Sequence, residues 1–406
     1  MQQVGDNMMS VKRTNRSAIL RALHERGAVS RKQLAEDLKL TPAAITKIVA
    51  ELIEEGLVTQ GPPLSCGKAG RREILIRLDP QARCALGVLI NRSQATLSAV
   101  WLDGSVIFSQ NIELPAEAPA DETVRDLADR LLALAGENGL HRDGILGIGA
   151  AIRGITDRSN ELVRNAMGAL DEADYPLARR FEEFSGLRCV MANNVCALFA
   201  AQVFMERYRE TRSQFFLRCE YGIGAALSVN GSIWPGGTGL CSEIGHIPVR
   251  KRGGKPCVCG KSGCLETIAS PMAMREDALA ILSKEATPVL WNMLGGKRPE
   301  RLEISEVLDA ARNGDEAVAR IVDRAVDALG WALKSVIYIT NPEKIVLYGK
   351  VFDNSYFLSR LMAEMSEGVD SRHSAVIERS QYNGLLENKA ACLIMVEDFF
   401  TNVGMR

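Results

Sequence analysis

Three thiols and an imidazole fall within one short stretch of the chain: His246, Cys257, Cys259 and Cys264. The full run reads Glu243-Ile244-Gly245-His246, then Cys257-Val258-Cys259-Gly260, then Gly263-Cys264-Leu265-Glu266. Thiolate sulfur and imidazole nitrogen are the donors of tetrahedral zinc sites, and the glycines let the backbone fold tightly around an ion. Four protein ligands leave no open coordination position, so the expected Zn2+ is structural and not hydrolytic. The chain holds ten cysteines, and the others are scattered one at a time. That distribution suits metal ligation in a reducing compartment and not a secreted disulfide framework.

A second set of residues is suited to nucleic acid, and the elements that must carry it are legible in order. From Asn15 to Arg26 the apolar residues Ala18, Ile19, Ala22 and Leu23 recur at three and four, and Gly27 supplies a stop. Ser30-Arg31-Lys32-Gln33 reads as a capping box opening a second helix that ends near Leu38, with Val29 and Leu34 spaced as a hydrophobic staple. Thr41 then caps a third helix that has Pro42 at its first position. This helix buries Ile45, Ile48, Val49, Leu52 and Ile53 and turns Ala43, Ala44, Thr46, Lys47 and Ala50 outward. Leu57-Val58-Thr59 and Glu73 to Leu78 read as paired strands around a loop holding Gly67, Lys68, Gly70, Arg71 and Arg72.

Three helices and a hairpin make a winged helix-turn-helix. Its third helix suits the major groove and its basic wing suits phosphates or a narrow minor groove. The candidate DNA contacts are Arg31, Thr41, Ala43, Ala44, Thr46, Lys47, Lys68, Arg71 and Arg72. A helical bundle used for protein contacts is the alternative, against which the short turn and the basic wing both argue.

Charge supports the same division. Residues 1–80 carry 13 Lys and Arg against 9 Asp and Glu, whereas the whole chain of 406 residues has a net charge of −1. A basic head on an acidic body suits a polyanion partner. No apolar run reaches the length of a membrane span, and the N-terminus lacks the apolar core of a signal peptide, so a cytoplasmic protein with no membrane insertion is expected.

After Pro80 strands and helices alternate. Strands are predicted at Ala85 to Ile90, Ala95 to Trp101, Ile145 to Ala151, Leu187 to Ala192, Ser213 to Arg218, Gly224 to Val229 and Lys344 to Leu347, and a helix at Thr123 to Ala135. This is an α/β pattern with no repeat of solenoid length.

The winged-helix head, the Gly222-Ile223-Gly224 turn, Glu243-Ile244-Gly245-His246, the cysteine loop and Asn341-Pro342-Glu343 together make the chain resemble the ROK family of repressors, open reading frames and sugar kinases, in its repressor branch. The resemblance implies a two-lobed, actin-like (ribonuclease H-like) sugar-kinase fold behind the head. The implied domains are 1–80 for DNA binding, 81–195 for the first lobe with a C-terminal helix in 383–406 packing back on it, and 196–382 for the second lobe with the zinc loop and the dimerisation surface.

The resemblance also places the kinase machinery. The family's catalytic base belongs to an Asn-Asp pair, which here is Asn193-Asn194, and an amide does not accept a proton at neutral pH. The first phosphate loop falls on Leu89-Ile90-Asn91-Arg92-Ser93, without acid or glycines; the second becomes Glu220-Tyr221-Gly222; Tyr348-Gly349-Lys350 replaces a Gly-Gly pair. No enzyme activity is therefore expected. By the same resemblance Asn165, Asn193, Asn194, Glu243, His246 and Glu266 hydrogen-bond a sugar, although Arg153 and Asn194 depart from the pattern. The expectation is a repressor of carbohydrate genes that binds a palindromic operator as a homodimer or homotetramer and answers to a sugar effector. Two rivals are a sugar kinase with an accessory head and a repressor sequestered by a sugar-transport protein.

Overall fold

A computed structural model of the chain describes residues 8–64, 73–91, 93–115, 118–157, 162–164, 170, 174–207, 211–236, 242–250, 252–295, 299–370, 373 and 375–402. The chain divides into two units, Met1–Arg209 with Leu385–Arg406, and Glu210–Gly384. The division falls later than the boundary expected after residue 195, because the helix that begins at Asn194 packs with the first unit.

The first unit opens with α1 (Met8–Arg26), β1 (Val29–Ser30), α2 (Arg31–Asp37), α3 (Pro42–Glu54), β2 (Val58–Leu64) and β3 (Glu73–Leu78). The three short strands form one antiparallel sheet in the order β1-β3-β2. Ile19, Leu20, Leu23, Leu34, Ile45, Val49, Leu52 and Ile76 make the buried core of this winged helix. The Thr41 hydroxyl accepts from the Ala44 amide at 3.2 Å and Pro42 stands at the start of α3, as the sequence implied.

Three local expectations are corrected. α1 begins at Met8 and not at Asn15, because Lys12 and Arg16 bind Glu51 of α3 and Arg16 also binds Glu55, its C-cap, a support that apolar periodicity does not register. The Ser30 hydroxyl caps α2 by accepting from the Gln33 amide (3.2 Å), but the Gln33 side chain donates forward to Asp37 (2.9 Å), so the glutamine half of the box is not made. β2 runs on to Leu64, with an irregularity between Gln60 and Pro63, where two prolines lack the amides that a regular ladder uses.

The rest of the first unit is a five-stranded sheet. Its elements are β4 (Cys84–Ile90), β5 (Gln94–Trp101), β6 (Val106–Glu113), α4 (Ala120–Glu137), β7 (Ile145–Ile152), the hairpin β8 (Ile155–Asp157) and β9 (Leu162–Arg164), α5 (Leu177–Ser185), β10 (Cys189–Asn193) and α6 (Asn194–Met205). The spatial order is β10-β7-β4-β5-β6, with β4, β7 and β10 parallel and β5 antiparallel to β4 and β6. Leu86, Val88 and Ile90 join Leu127, Leu131 and Phe181 of α4 and α5 in one core. The opposite face receives the C-terminal helix (Ala390–Asn402), so closely that two sheet positions have room only for glycine. A Cβ on Gly149 would lie 1.7 Å from the Ala391 carbonyl oxygen, and one on Gly87 would lie 2.6 Å from the Cys392 amide nitrogen.

The second unit contains β11 (Ser213–Cys219), β12 (Ile223–Val229), β13 (Ser232–Ile233), α7 (Glu266–Ala269), α8 (Pro271–Ala280), α9 (Pro288–Leu294), α10 (Ile304–Arg312), α11 (Glu316–Thr340), β14 (Lys344–Tyr348), α12 (Ser355–Ser366) and β15 (Val376–Arg379). Its sheet order is β13-β12-β11-β14-β15. Numbered along the chain, both sheets run three-two-one-four-five, with the second strand antiparallel to the first and the fourth and fifth parallel to it. Both units belong to the α/β class expected from the sequence, and each has its own core.

Gly149→Ala should destabilise the first unit by about 1–3 kcal/mol, because the helix must move away from the sheet. Urea unfolding followed by tryptophan fluorescence would measure this, and an unchanged midpoint would refute the close-packing argument. Burial also holds the pKa of His24 in α1 below its usual 6.5. The neutral ring is the form favoured in the fold, so its contribution is complete above the unfolded value and is lost as pH falls below it. The stability difference between wild type and His24→Gln should shrink as pH falls below the usual histidine value of 6.5.

Candidate functional site

The residues with metal-binding chemistry meet in the second unit. A tight turn closes on itself where the Cys257 amide donates to Lys261 (2.8 Å) and the Gly260 amide to Cys257 (3.0 Å). The Val249 amide donates to the Gly263 carbonyl and the Leu265 amide to the Ile247 carbonyl, both at 2.9 Å, which draws His246 alongside Cys264. Glycine is required at two of the closest approaches. A Cβ on Gly245 would lie 2.1 Å from the Ile223 carbonyl oxygen, and one on Gly263 would lie 2.0 Å from that of Arg250.

The four candidate ligand atoms of His246, Cys257, Cys259 and Cys264 lie within 4.8 Å of one another. Cys257 Sγ is 3.5 Å from His246 Nδ1, and Cys259 Sγ is 3.6 Å from Cys264 Sγ. A tetrahedral ion at ordinary zinc bond lengths would set these edges at about 3.6 and 3.8 Å. The cluster can therefore hold a metal ion with little adjustment. Burial pushes the Cys257 and Cys264 thiols up from their usual range. At Cys259 desolvation is outweighed by the Lys261 backbone hydrogen bond and the neighbouring thiols, which hold it low. A bound cation would override this pattern by favouring every thiolate.

Two carboxylates flank the imidazole. Glu266 Oε1 lies 3.4 Å from His246 Nδ1 and 3.1 Å from Cys257 Sγ, and Glu243 Oε2 lies 3.8 Å from His246 Nε2. One ring nitrogen thus faces the cluster and the other faces Glu243. The placement fits a ligand whose second nitrogen remains free to donate. Desolvation pushes the Glu243 carboxyl up, with His246 opposing and Glu266 reinforcing.

The asparagines belong to the first unit. Asn193 ends β10 and caps α6: its Oδ1 accepts from the Val195 amide and its Nδ2 donates to the Gly154 carbonyl, both at 2.8 Å. Sequence reading gave it a hydroxyl to bind and missed this structural use, although an Asn standing directly before a helical run is itself a capping signal. Asn194 follows as the first helical residue and is buried. Asn165 lies outside the described residues.

Each of the three turns expected to fall on a phosphate loop has a visible local role. The first is the turn joining β4 to β5, closed by the Asn91 amide donating to Gln94 (2.9 Å). In the second, the Glu220 carboxylate is held by Arg218 at 2.7 Å, and Tyr221 is exposed. In the third, Gly349 approaches Cys219 so closely that a Cβ would lie 2.0 Å from its carbonyl oxygen, and its amide binds Asn383 (3.0 Å).

On α3, Thr41, Ala43, Thr46 and Lys47 are exposed, whereas Ala44 and, in α2, Arg31 are only half-exposed. The Thr46 hydroxyl donates to the Pro42 carbonyl at 2.8 Å, so its methyl group and lone pairs, and not its proton, are available to a base. Lys68, Arg71 and Arg72 lie outside the described residues. Arg16 was missed by sequence reading. It is buried and reaches both Glu51 (3.3 Å) on α3 and Glu55 (2.6 Å) at its C-cap. The signal was present in the four-residue spacings of Lys12 with Arg16 and of Glu51 with Glu55, two complementary pairs on facing helices.

The ROK family profile matches residues 86–391, and the MarR family profile matches residues 15–62. The N-acetylglucosamine repressor of Escherichia coli O157:H7 is 28% identical over 356 residues, covering 86% of this chain and 83% of that protein. The DNA-binding transcriptional repressor Mlc of Escherichia coli K12 is 27% identical over 339 residues, covering 83% and 81%. Among solved structures, a ROK family transcriptional regulator described as a homolog of the E. coli Mlc protein aligns over 97% of both chains with a TM-score of 0.80 at 22% identity, a likeness of fold.

The metal-binding capacity of the cluster has a direct readout. Full-length protein purified without chelator should carry about one metal ion per chain. Cys264→Ser should abolish this and lower the unfolding temperature by roughly 5 °C or more. Elemental analysis and calorimetry measure both effects, and metal-free wild-type protein of unchanged stability would contradict the assignment.

Proposed function

The chain belongs to the ROK family, and from that premise we propose that it is a sequence-specific DNA-binding transcriptional repressor whose kinase-like lobes serve as the receptor for a sugar or sugar derivative. The observation that carries this reading is the winged helix itself, which shows an exposed α3 face to solvent and is joined to a ROK body. Similarity to two bacterial repressors over more than four-fifths of the chain supports it.

In this reading α3 enters the major groove, with Ala43 and the Thr46 methyl against base edges and Lys47 on phosphate or base, while Lys68, Arg71 and Arg72 of the wing reach the backbone or minor groove. Thr41 and Arg31 flank the entry of the helix. A homodimer or homotetramer in the cytoplasm would match two heads to a palindromic operator. Among the described residues no helix is long and apolar enough to cross a membrane.

The body is a receptor and not a kinase. Asn194 stands where the family resemblance puts the base, and an amide does not take a proton from a hydroxyl at neutral pH. Glu220, held by Arg218, puts a carboxylate where phosphate would have to bind. The sugar contacts are Asn165, Asn193, Asn194, Glu243, His246 and Glu266. Zn2+ held by His246, Cys257, Cys259 and Cys264 would fix the loop and the orientation of the His246 ring, a structural task.

Lys47→Ala combined with Arg71→Ala should weaken operator binding at least about tenfold and flatten its salt dependence. Gel-shift titration at several salt concentrations tests this, and unchanged affinity would remove the DNA interface from α3 and the wing. Thermal unfolding across free and phosphorylated sugars, N-acetylglucosamine first, should yield one stabilising compound that also changes operator affinity. Phosphate transfer from ATP to that compound would overturn the receptor reading in favour of a kinase. A flat panel with a retained sugar-transport protein would move control to that partner.

A further inference from the structure

α6 has no polar face. Val195, Ala197, Leu198, Phe199, Ala201 and Phe204 are all buried, and Asn194 and Gln202 are buried with them. Cys196, Ala200 and Val203 form a half-exposed stripe; most of the helix is close-packed, so it cannot move far without displacing its neighbours. Its two ends are anchored on different kinds of structure.

At the first turn Asn193 ties the helix to Gly154, in the loop that follows β7. At the last turn the Phe204 carbonyl accepts a hydrogen bond from His24 Nε2 (3.2 Å), so the ring proton is on that nitrogen. The His24 ring lies 4.1 Å from the Phe204 ring and 6.0 Å from that of Phe400 in the C-terminal helix. Near His24 on α1, Arg21 binds Glu397 and donates to the Thr401 hydroxyl (2.9 Å). α1 is in turn clamped to the recognition helix α3 by Arg16 on Glu51 and Glu55, with Lys12 on Glu51 at 2.8 Å.

From these contacts we propose that α6 is the mechanical link between the Gly154–Asn193 end of the first unit and the DNA-binding head, with His24 as the joint and Arg16 as the clamp that passes a movement of α1 to α3. The proposal rests on the receptor reading for its biological use, because Asn193 and Asn194 are two of the sugar contacts named there. The link itself is a property of the first unit and can be tested with no sugar present. Contiguity alone carries no energy, so the test must read whether a change at one end alters the stability of the other.

Hydrogen exchange of the full-length protein, followed by mass spectrometry, makes that reading. Asn193→Ala removes the cap and the tie to Gly154. Exchange should accelerate at least about threefold both in the first turn of α6 and in residues 20–26 of α1, while the sheet strand β5 keeps its protection. The reciprocal variant, His24→Ala, should loosen residues 195–199 as well as the end of α1, and it serves alone if Asn193→Ala does not fold. Acceleration confined to the mutated end in either variant would overturn the link. A sugar that stabilises the wild type but leaves α1 exchange unchanged would overturn it too. Coupled exchange in the variants, with no sugar that binds, would uphold the link and count against the receptor reading instead.

Discussion

The first unit depends on one close contact, the seating of the C-terminal helix against the sheet at Gly87 and Gly149. The Ala391 carbonyl at Gly149, and the Cys392 amide and sulfur at Gly87, fill the space a Cβ would need, so excluded volume positions the helix. Such close approach adds dispersion contacts between the two surfaces. The same helix presents Glu397, Phe400 and Thr401 to α1. The head is thus held by an element that is itself closely seated on the sheet, and loosening the glycine contact would be felt at the DNA-binding end.

The histidine–cysteine loop in the second unit follows the same rule on a smaller scale. Gly245 and Gly263 let two chain segments approach closely enough to bring an imidazole and three sulfurs into reach of one another. The loop is short of apolar side chains, and Val258 is exposed. Coordination would therefore take over the ordering that burial supplies elsewhere, and the flanking carboxylates Glu243 and Glu266 would inherit their positions from it.

What could be read from the sequence was local. The donors of the metal cluster lie close in the chain, so their spacing carried the geometry. The Thr41-Pro42 start of α3 and its buried stripe obeyed helix rules that operate within four residues. The strands of the two sheet centres were legible because they are buried on both faces and read as apolar runs. β6 and β15 were not, since they are edge strands with mostly exposed side chains and little alternation. The contacts that join head to body were invisible for another reason. His24 meets Phe204 and Arg21 meets Glu397 across separations of 180 and 376 residues, and neither pair is marked by its local pattern. The shared three-two-one-four-five order of the sheets left no trace of repetition in the residues, because sheet order constrains burial and not identity. Asn193 was legible as a polar residue at a strand end, but its two hydrogen bonds to the backbone show that the same amide also holds α6 in place.

The order in which the chain is synthesised gives the C-terminal helix a further consequence. The second unit is one continuous segment, whereas the first is completed only by residues made after it. On the ribosome the second unit can close its core while the first still lacks the helix that covers Gly87 and Gly149. The winged helix, although made first, has no Glu397 or Phe400 to dock against until translation has passed them. Attachment of the head to the body is therefore a late event in biogenesis. Chains cut short by premature termination would carry a nucleic-acid-binding module free of its anchor and a sheet face open to chaperones or aggregation.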